Sequence, residues 1–417
     1  MATLLALVVA GCRTDEIVSV DSGQAPGSSA ATLEVLLDRS DVNAWLDTVF
    51  SGFTAPADAG FLRMEAGTSE LESHGLIRFR GFPDSVIFLD TISVIQRFDS
   101  ARLVFIVDHT RSDLASSGTT VQLRALSEDW DARSATWQVA VDTPGVLRAW
   151  SVPGGSIGEL LGAALVTADS DSVAFDLGAR SDSFIEAWRD TSRVNPGLAL
   201  MVPDSGRVAL APPTLRYQVV PRLRRDTGIA LARLVTDATF IFDPPPPALP
   251  PGVLRVGGVG GWRAYFQITL PDSVMVSGRR VSLRRSTINR AEIILKSRAA
   301  PAPPFGAERS FTVGAVGLEG DPETFGPKTP VGDQIAASDV SIAPDSIEPG
   351  DQVRVPLTSF VQSWARDSTS IPLRFLLRGR PEAAVFGFWE FGASSDVATR
   401  VPRLRIVFTP PTRFGLP

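Results

Sequence analysis

Cysteine, histidine, lysine and tyrosine are scarce in this chain of 417 residues. Its one cysteine, Cys12, excludes an internal disulfide and a thiolate-rich metal centre. Two histidines, His74 and His109, leave little material for histidine-based metal or acid–base chemistry. Forty basic and forty-six acidic residues give a net charge of −6, which argues against binding to nucleic-acid phosphates. We therefore expect neither a nucleic-acid partner nor a cofactor, apart from the calcium considered below.

Apolar residues and turn formers are plentiful. Hydrophobic residues make up 44% of the chain, which is enough to bury substantial cores. The 35 glycines and 32 prolines favour many turns between short elements. A chain of this length predicts two or three domains.

The N-terminus has the features of an export signal. Residues 2–11 read ATLLALVVAG, an apolar run that ends in small residues directly before Cys12. The sequence VAGC resembles the bacterial lipobox, in which the cysteine carries a lipid and becomes the mature N-terminus. No Lys or Arg precedes the run, so the basic start of such signals is missing. Ten apolar residues are too few for a helix that spans a membrane. The alternative to a signal peptide is therefore a buried strand or a short helix.

We therefore expect residues 1–11 to be a lipoprotein signal peptide and Cys12 to be the site of lipidation. Residues 12–31 are rich in Ser, Gly and Asp and predict a polar tether. The expected location is the bacterial cell envelope, with a lipid anchor in the outer membrane or at the cell surface.

Period-two alternation dominates the rest of the chain. Ile77 and Phe79 alternate with arginines, and Leu404, Ile406 and Phe408 share one face of a segment reading RLRIVFT. Such patterns between turn residues predict half-buried antiparallel strands. Only two segments show helical spacing, 181–190 and a segment near 357–364, and each places a tryptophan on its apolar stripe: Trp188 and Trp364.

The sequence repeats itself at a distance of about 190 residues. Asp-Thr-Val-Phe at 47–50 resembles Asp-Ala-Thr-Phe at 237–240, and Phe-Pro-Asp-Ser-Val at 82–86 resembles Leu-Pro-Asp-Ser-Val at 270–274. We predict an all-β protein with two tandem jelly-roll-like antiparallel β-sandwiches, each with a short helix. The predicted boundaries are 32–221 for the first copy, 222–228 for a linker, 229–410 for the second copy and 411–417 for a tail. The prolines at 244–247 are assigned to a loop inside the second copy.

The first copy resembles a known family. It contains SEDWDARSATW from Ser127 to Trp137, then FDLGARSDSFIEAW, Asn-Pro-Gly-Leu from Asn195, and a closing Pro-Thr-Leu-Arg-Tyr from Pro213. This order is similar to DNRLRE-type domains and the related family 96 carbohydrate-binding modules. The resemblance covers residues 47–220 and implies a jelly-roll sandwich on a secreted surface protein. The second copy lacks the tryptophan pair in its counterpart region, 317–333.

Three tryptophans are candidates for ligand binding. Trp130 and Trp137 lie beside or within a polar loop, and Trp262 follows a glycine loop at 257–261 and has no aromatic counterpart in the first copy. Aromatic faces stack on sugar rings, which favours a polysaccharide ligand. The alternative is that these side chains belong to the core. The glycine loop itself lacks the spacing of a phosphate-binding loop.

Three carboxylates surround Trp130. Glu128, Asp129 and Asp131 are weak candidates for a calcium site, because calcium takes oxygen ligands. They could also flank a glycosidic bond as acid and base, or simply be solvated in a loop. Ser156 lies in a G-x-S-x-G sequence, but both histidines precede it, and the order of a hydrolase triad requires histidine last.

We predict a non-catalytic protein that binds or displays, with a polysaccharide as the candidate ligand. The alternatives are a structural or adhesive surface scaffold without a glycan site, and a polysaccharide-degrading enzyme. The membrane is the expected partner through the lipid on Cys12, and the oligomeric state stays open.

Overall fold

A computed structural model describes residues 32–67, 71–298, 311–318, 331–336, 340–342, 348–367, 372–380, 382 and 387–411. The predicted signal peptide and tether, Cys12 and residues 412–417 of the predicted tail lie outside this part of the chain. The described residues form 28 strands and two α-helices, which confirms the all-β prediction.

The first half of the chain contains the following elements: β1 (Leu33–Leu37), β2 (Ala44–Phe50), β3 (Leu62–Ala66), β4 (Glu72–Arg78), β5 (Ser85–Phe88), β6 (Thr91–Ile106), β7 (Thr119–Leu126), β8 (Val139–Thr143), β9 (Val146–Ala149), β10 (Ile157–Val166), β11 (Ser172–Asp176), α1 (Ser181–Arg189), β12 (Leu198–Met201), β13 (Gly206–Leu210) and β14 (Thr214–Pro221). The second half contains the following: β15 (Ile229–Leu234), β16 (Asp237–Asp243), β17 (Val253–Gly257), β18 (Arg263–Thr269), β19 (Ser273–Val276), β20 (Arg279–Ser282), β21 (Thr287–Lys296), β22 (Phe311–Leu318), β23 (Val331–Ala336), β24 (Val340–Ile342), β25 (Gln352–Pro356), α2 (Thr358–Arg366), β26 (Leu373–Arg380), β27 (Phe388–Gly392) and β28 (Arg403–Thr409).

Two sheets form the first sandwich, which we call sandwich 1. One sheet has the order β10-β7-β12-β4-β3-β13, with β16 on the other edge of β4. The second has the order β11-β6-β14-β15, with β5 paired to β6. The inward positions of both sheets share one buried core, to which Leu123, Phe105 and Leu215 belong. Alternation of inward apolar and outward polar residues along each strand produces this packing.

Sandwich 2 repeats this plan. One sheet has the order β2-β18-β26-β22-β23, with β24 also on β22, and the other has the order β25-β21-β28-β1. The pair β17-β27 corresponds to β3-β13 of sandwich 1. A second buried core, which includes Phe266, Phe375 and Phe408, fills the space between these strands.

Each sandwich carries one short α-helix that covers an end of its core. Trp188 of α1 and Trp364 of α2 are both 6% exposed, so the prediction that they are core residues is confirmed. None of the helices in the described ranges has the length and apolar content needed to cross a membrane.

The repeats exchange their first two strands. β1 pairs with β28 and β2 pairs with β18, so the start of the chain belongs to sandwich 2. β15 pairs with β14 and β16 pairs with β4, so the start of the second repeat belongs to sandwich 1. Leu37 and Trp45 accordingly lie in the core of sandwich 2. We call this arrangement the strand exchange.

The strand exchange corrects the predicted boundaries. The predicted linker, 222–228, is the turn that joins the paired strands β14 and β15 within sandwich 1. The chain crosses between the sandwiches at 51–61 and at 244–252, so the prolines at 244–247 lie in a crossover and not in a loop inside one sandwich. The physical reason is that two similar repeats present two similar edges. The first two strands of one repeat can therefore dock on the edges of the other repeat without any change in the order of elements along the sequence.

Candidate functional site

Trp130 is part of the core and not of the surface. Its side chain is 2% exposed, and its indole N–H donates to the carbonyl O of Pro196 at 2.7 Å. The Arg78 guanidinium lies over the ring, 4.6 Å from the centroid, and donates to the Trp130 carbonyl O at 2.6 Å. With both its face and its N–H occupied, Trp130 offers no platform for a sugar.

Arg78 connects three elements around Trp130. Besides the contacts with Trp130, its Nε donates to Asp237 of β16 at 2.8 Å, and its Nη1 forms an ion pair with Asp129. Nη1 also donates to the carbonyl O of Asn195 at 3.2 Å. Arg78 is 3% exposed, so this network is buried at its centre and joins the loop of the first repeat to the exchanged strand of the second.

The three carboxylates near Trp130 have separate partners. Glu128 accepts hydrogen bonds from the Ser151 N–H at 3.0 Å and from the Ser156 hydroxyl. The hydrogen bond from Ser156 lowers the pKa of Glu128 below its ordinary value. Asp131 accepts from the backbone and the hydroxyl of Ser134 at 3.0 and 2.8 Å, which closes a local turn.

Nothing in this loop brings the carboxylates to one point. Asp129 pairs with Arg78, while Glu128 and Asp131 each accept hydrogen bonds from serines. Within the described ranges, no group of three or more His, Cys, Asp or Glu residues could hold a metal ion. The calcium site stays a prediction, and the described geometry adds no support for it.

Trp137 differs from Trp130 in its exposure. It is half-buried, and its ring lies 4.7 Å from the ring of His74. Its carbonyl O accepts from the Gly154 N–H at 2.8 Å, and a Cβ on Gly154 would lie only 2.9 Å from the indole. One side of the indole is therefore fixed by sandwich 1, and another side lines a cavity.

This cavity, which we call the seam pocket, has a volume of about 270 Å³ and lies where the two crossovers meet sandwich 1. Its apolar walls come from both repeats: Trp137, Phe240, Phe242, Pro245, Pro246 and Val259. Its polar lining includes Arg133, Gln138 and Asp243. The pocket thus combines aromatic and proline surfaces with a few polar groups, as small-molecule sites do.

The glycine loop at 257–261 closes one side of this region. Gly261 has a φ of +58°, and a Cβ there would lie 2.7 Å from the Thr54 hydroxyl of the crossover 51–61. The Gly52 N–H donates to the Gly260 carbonyl O at 2.6 Å, and Val259 packs in a small cluster with Phe240. The loop therefore requires glycine for a close backbone approach between the sandwiches.

Trp262 belongs to a second buried arginine network. The Arg255 guanidinium lies 4.9 Å from the Trp262 ring centroid and 4.2 Å from that of Phe388. Arg255 also pairs with Glu390 at 2.6 Å and donates to the carbonyl O of Ala248 in the crossover at 3.2 Å. Trp262 is half-buried and does not line the seam pocket, and Arg255, which covers its ring, is the residue that holds the crossover.

Ser156 and His74 make separate contacts. The Ser156 hydroxyl bonds to Glu128, and His74 Nδ1 lies 2.8 Å from the Gly154 carbonyl O. His74 Nε2 lies 3.3 Å from Glu72, and the hydrogen bond between them lowers the pKa of that carboxyl. His74 is buried.

The sequence missed the half of the seam pocket that comes from the second repeat. Phe240 and Phe242 lie on β16, which docks on sandwich 1 only because of the strand exchange. A local pattern in that strand predicts alternation but not the sheet that the strand joins.

No protein-family model matches this chain, and no curated protein matches it either.

Proposed function

We propose that this chain is a non-catalytic binding or display protein of the bacterial cell envelope, with the seam pocket as its ligand site. The observation that carries the proposal is the position of Trp137. Of the three candidate tryptophans, Trp137 is the one that lines the seam pocket, together with Phe240, Phe242 and the crossover prolines.

The chemistry of the pocket suits a carbohydrate ring. A sugar has apolar C–H faces and a polar rim of hydroxyl groups. The seam pocket pairs an indole and two proline rings with Arg133, Gln138 and Asp243. Its volume of about 270 Å³ lies just below the roughly 300–1,000 Å³ of small-molecule pockets, which favours one ring or a chain end over a long polysaccharide segment.

Calorimetric titration of the protein with neutral and uronic-acid oligosaccharides tests this site. We expect Trp137→Ala to weaken binding about tenfold or more, because the aromatic wall is lost. Leu147→Ala is the matched control, since Leu147 is 74% exposed near the same loop and does not line the pocket. Equal affinities of the two variants, or no heat with any saccharide, would contradict the assignment.

Anchoring is proposed from the sequence alone. The lipid on Cys12 would hold the sandwiches at a membrane at the end of the tether formed by residues 12–31. Cells fed labelled palmitate should transfer the label to the wild-type chain and not to Cys12→Ala. Equal labelling of both chains would refute the anchor without affecting the proposal for the seam pocket.

A structural or adhesive scaffold is the second candidate function. It is favoured by the burial of Trp130 and by the arginine that covers one face of Trp262. Under this function the seam pocket would be a packing gap between the sandwiches. An absence of saccharide binding together with unchanged stability in Trp137→Ala would support it.

A further inference from the structure

A β-hairpin of sandwich 1 exposes a row of apolar side chains. It consists of β5 and the first residues of β6, and we call it the apolar hairpin. Ile87 and Ile92 are opposite each other in the pairing and are 75% and 73% exposed. Leu89 at the tip is 73% exposed, and Val94 is 57% exposed. Side chains this large and this exposed, adjacent on one ribbon, mark an interaction surface.

The tip of the apolar hairpin has an unusual backbone. Leu89 and Asp90 have φ values of +48° and +61°, the left-handed region that a bulky residue such as leucine rarely adopts. A glycine or asparagine would form this turn with less strain. An exposed leucine held at a strained position contributes nothing to the core, which indicates that the side chain serves a contact outside the fold.

The second repeat provides an internal comparison. Its equivalent hairpin, β19–β20, has Ser277 and Gly278 at the tip. Met275, opposite Arg280, occupies the place of Ile87 and Ile92, and Ser282 occupies the place of Val94. The same backbone element is therefore largely polar on its outer face in one repeat and apolar in the other, so the fold itself does not require the apolar face.

A basic turn lies beside the apolar hairpin. The turn after β14 reads Arg-Leu-Arg-Arg from residue 222 and is exposed. The N–H of Arg222 donates to the Val94 carbonyl O at 2.9 Å, and the N–H of Leu223 donates to the Ser93 hydroxyl at 3.3 Å. In the described part of the chain, no carboxylate forms a salt bridge with Arg222, Arg224 or Arg225.

Charge in these two segments is opposite in sign to that of the whole chain. Residues 85–94 and 222–228 together contain three arginines and two carboxylates, Asp90 and Asp226, so their net charge is positive, whereas the net charge of the whole chain is −6. A membrane surface has an apolar acyl region and, above it, a region of headgroups. Apolar side chains at the hairpin tip and arginines beside the hairpin match these two regions. The apolar groups enter the acyl boundary, and the guanidinium groups contact anionic headgroups.

We propose that the apolar hairpin and the adjacent basic turn dock sandwich 1 directly on an anionic lipid surface. This contact is separate from the proposed lipid on Cys12 and from the seam pocket. It would orient the sandwich against the membrane, which a flexible tether at the N-terminus does not do.

An environment-sensitive fluorophore on the hairpin tip tests the contact. The full chain carries Cys12→Ala, which removes the lipid anchor, and is labelled at Leu89→Cys or, as the matched control, at Ser277→Cys. Vesicles of phosphatidylcholine with phosphatidylglycerol should shift the emission to the blue at position 89 and not at position 277. No shift at 89, or equal shifts at both positions, would overturn the proposal.

Two further variants separate the apolar and basic contributions. Replacing Ile92 and Val94 by the residues of the second repeat, Ile92→Arg and Val94→Ser, should abolish the lipid-dependent difference between the labelled positions. Arg222→Gln with Arg224→Gln and Arg225→Gln should lower partition onto anionic vesicles about hundredfold and change partition onto neutral vesicles little. If the blue shift at 89 instead rises with protein concentration in the absence of lipid, the surface binds a second copy of the chain and the lipid proposal is wrong.

Discussion

Arg78 is the residue that holds the loop from Ser127 to Trp137 against sandwich 1. Its guanidinium covers the Trp130 ring, bonds to the carbonyl of that residue, and pairs with Asp129 and with Asp237 of β16. A buried arginine is stable only when its donors are satisfied, and here the partners come from both repeats. The loop that looked like an exposed platform is therefore folded inward around a cation.

We expect Arg78→Met to lower the free energy of unfolding of sandwich 1 by about 3 kcal/mol, because it leaves two carboxylates and two backbone carbonyls without their buried donor. Arg102→Met is the control, since Arg102 and Asp176 are both mostly exposed and lie 3.5 Å apart. That control should change stability by less than about 1 kcal/mol. Urea unfolding of both variants measures the difference, and similar small effects would show that the network is not a stabilising centre.

Local patterns predicted the elements but not their partners. The helical spacing near 357–364 predicts α2, which the structure places at Thr358–Arg366. Alternation in RLRIVFT predicted β28, whose inward residues are fully buried. Neither pattern states which strand lies alongside. β1 and β15 both fit the edge formed by a strand like β14 or β28, so the pairing is settled by the connections of the whole chain.

The sequence predicts the part of the candidate site that comes from the first repeat and not the part that comes from the second, again because local patterns do not show which strands lie together. The place of Trp137 in a polar loop predicts a ligand contact, and the structure places this residue in the lining of the seam pocket. Trp130 has the same neighbours in sequence but lies beneath Arg78, a residue 52 positions away that local analysis does not connect to it. Phe240 and Phe242 come from the other repeat, and only the strand exchange brings them to Trp137.

At the scale of the molecule, the strand exchange interlocks the two sandwiches. Each sandwich takes two strands from the start of the other repeat, one for each of its sheets, and residues of both crossovers line the seam pocket. Arg255 secures one crossover and the glycine loop secures the other. A contact at the seam pocket therefore touches both repeats, so a ligand there would also affect how the sandwiches are held together.

Engineered disulfides distinguish the exchanged arrangement from the alternative in which each repeat keeps its own strands. Glu34 and Val407 are direct partners across β1 and β28. In the alternative, Glu34 would face Gln218, which takes the place of Val407 in β14 and pairs with Ala230 in the structure. With Cys12→Ala as background, Glu34→Cys with Val407→Cys should form a bond within one chain, because directly paired strand residues have the spacing that a disulfide requires.

Glu34→Cys with Gln218→Cys is the matched control and should stay reduced, because β15 occupies the edge of β14 that β1 would need. Mass spectrometry of peptides from non-reduced protein identifies the bond, and gel mobility without reductant separates a closed chain from a dimer. A bond in the control pair and none in the first pair would show that each repeat retains its own strands. A dimer linked through residues 34 and 407 would show that the same strand pair exchanges between chains, with the edge of β28 as the shared docking site.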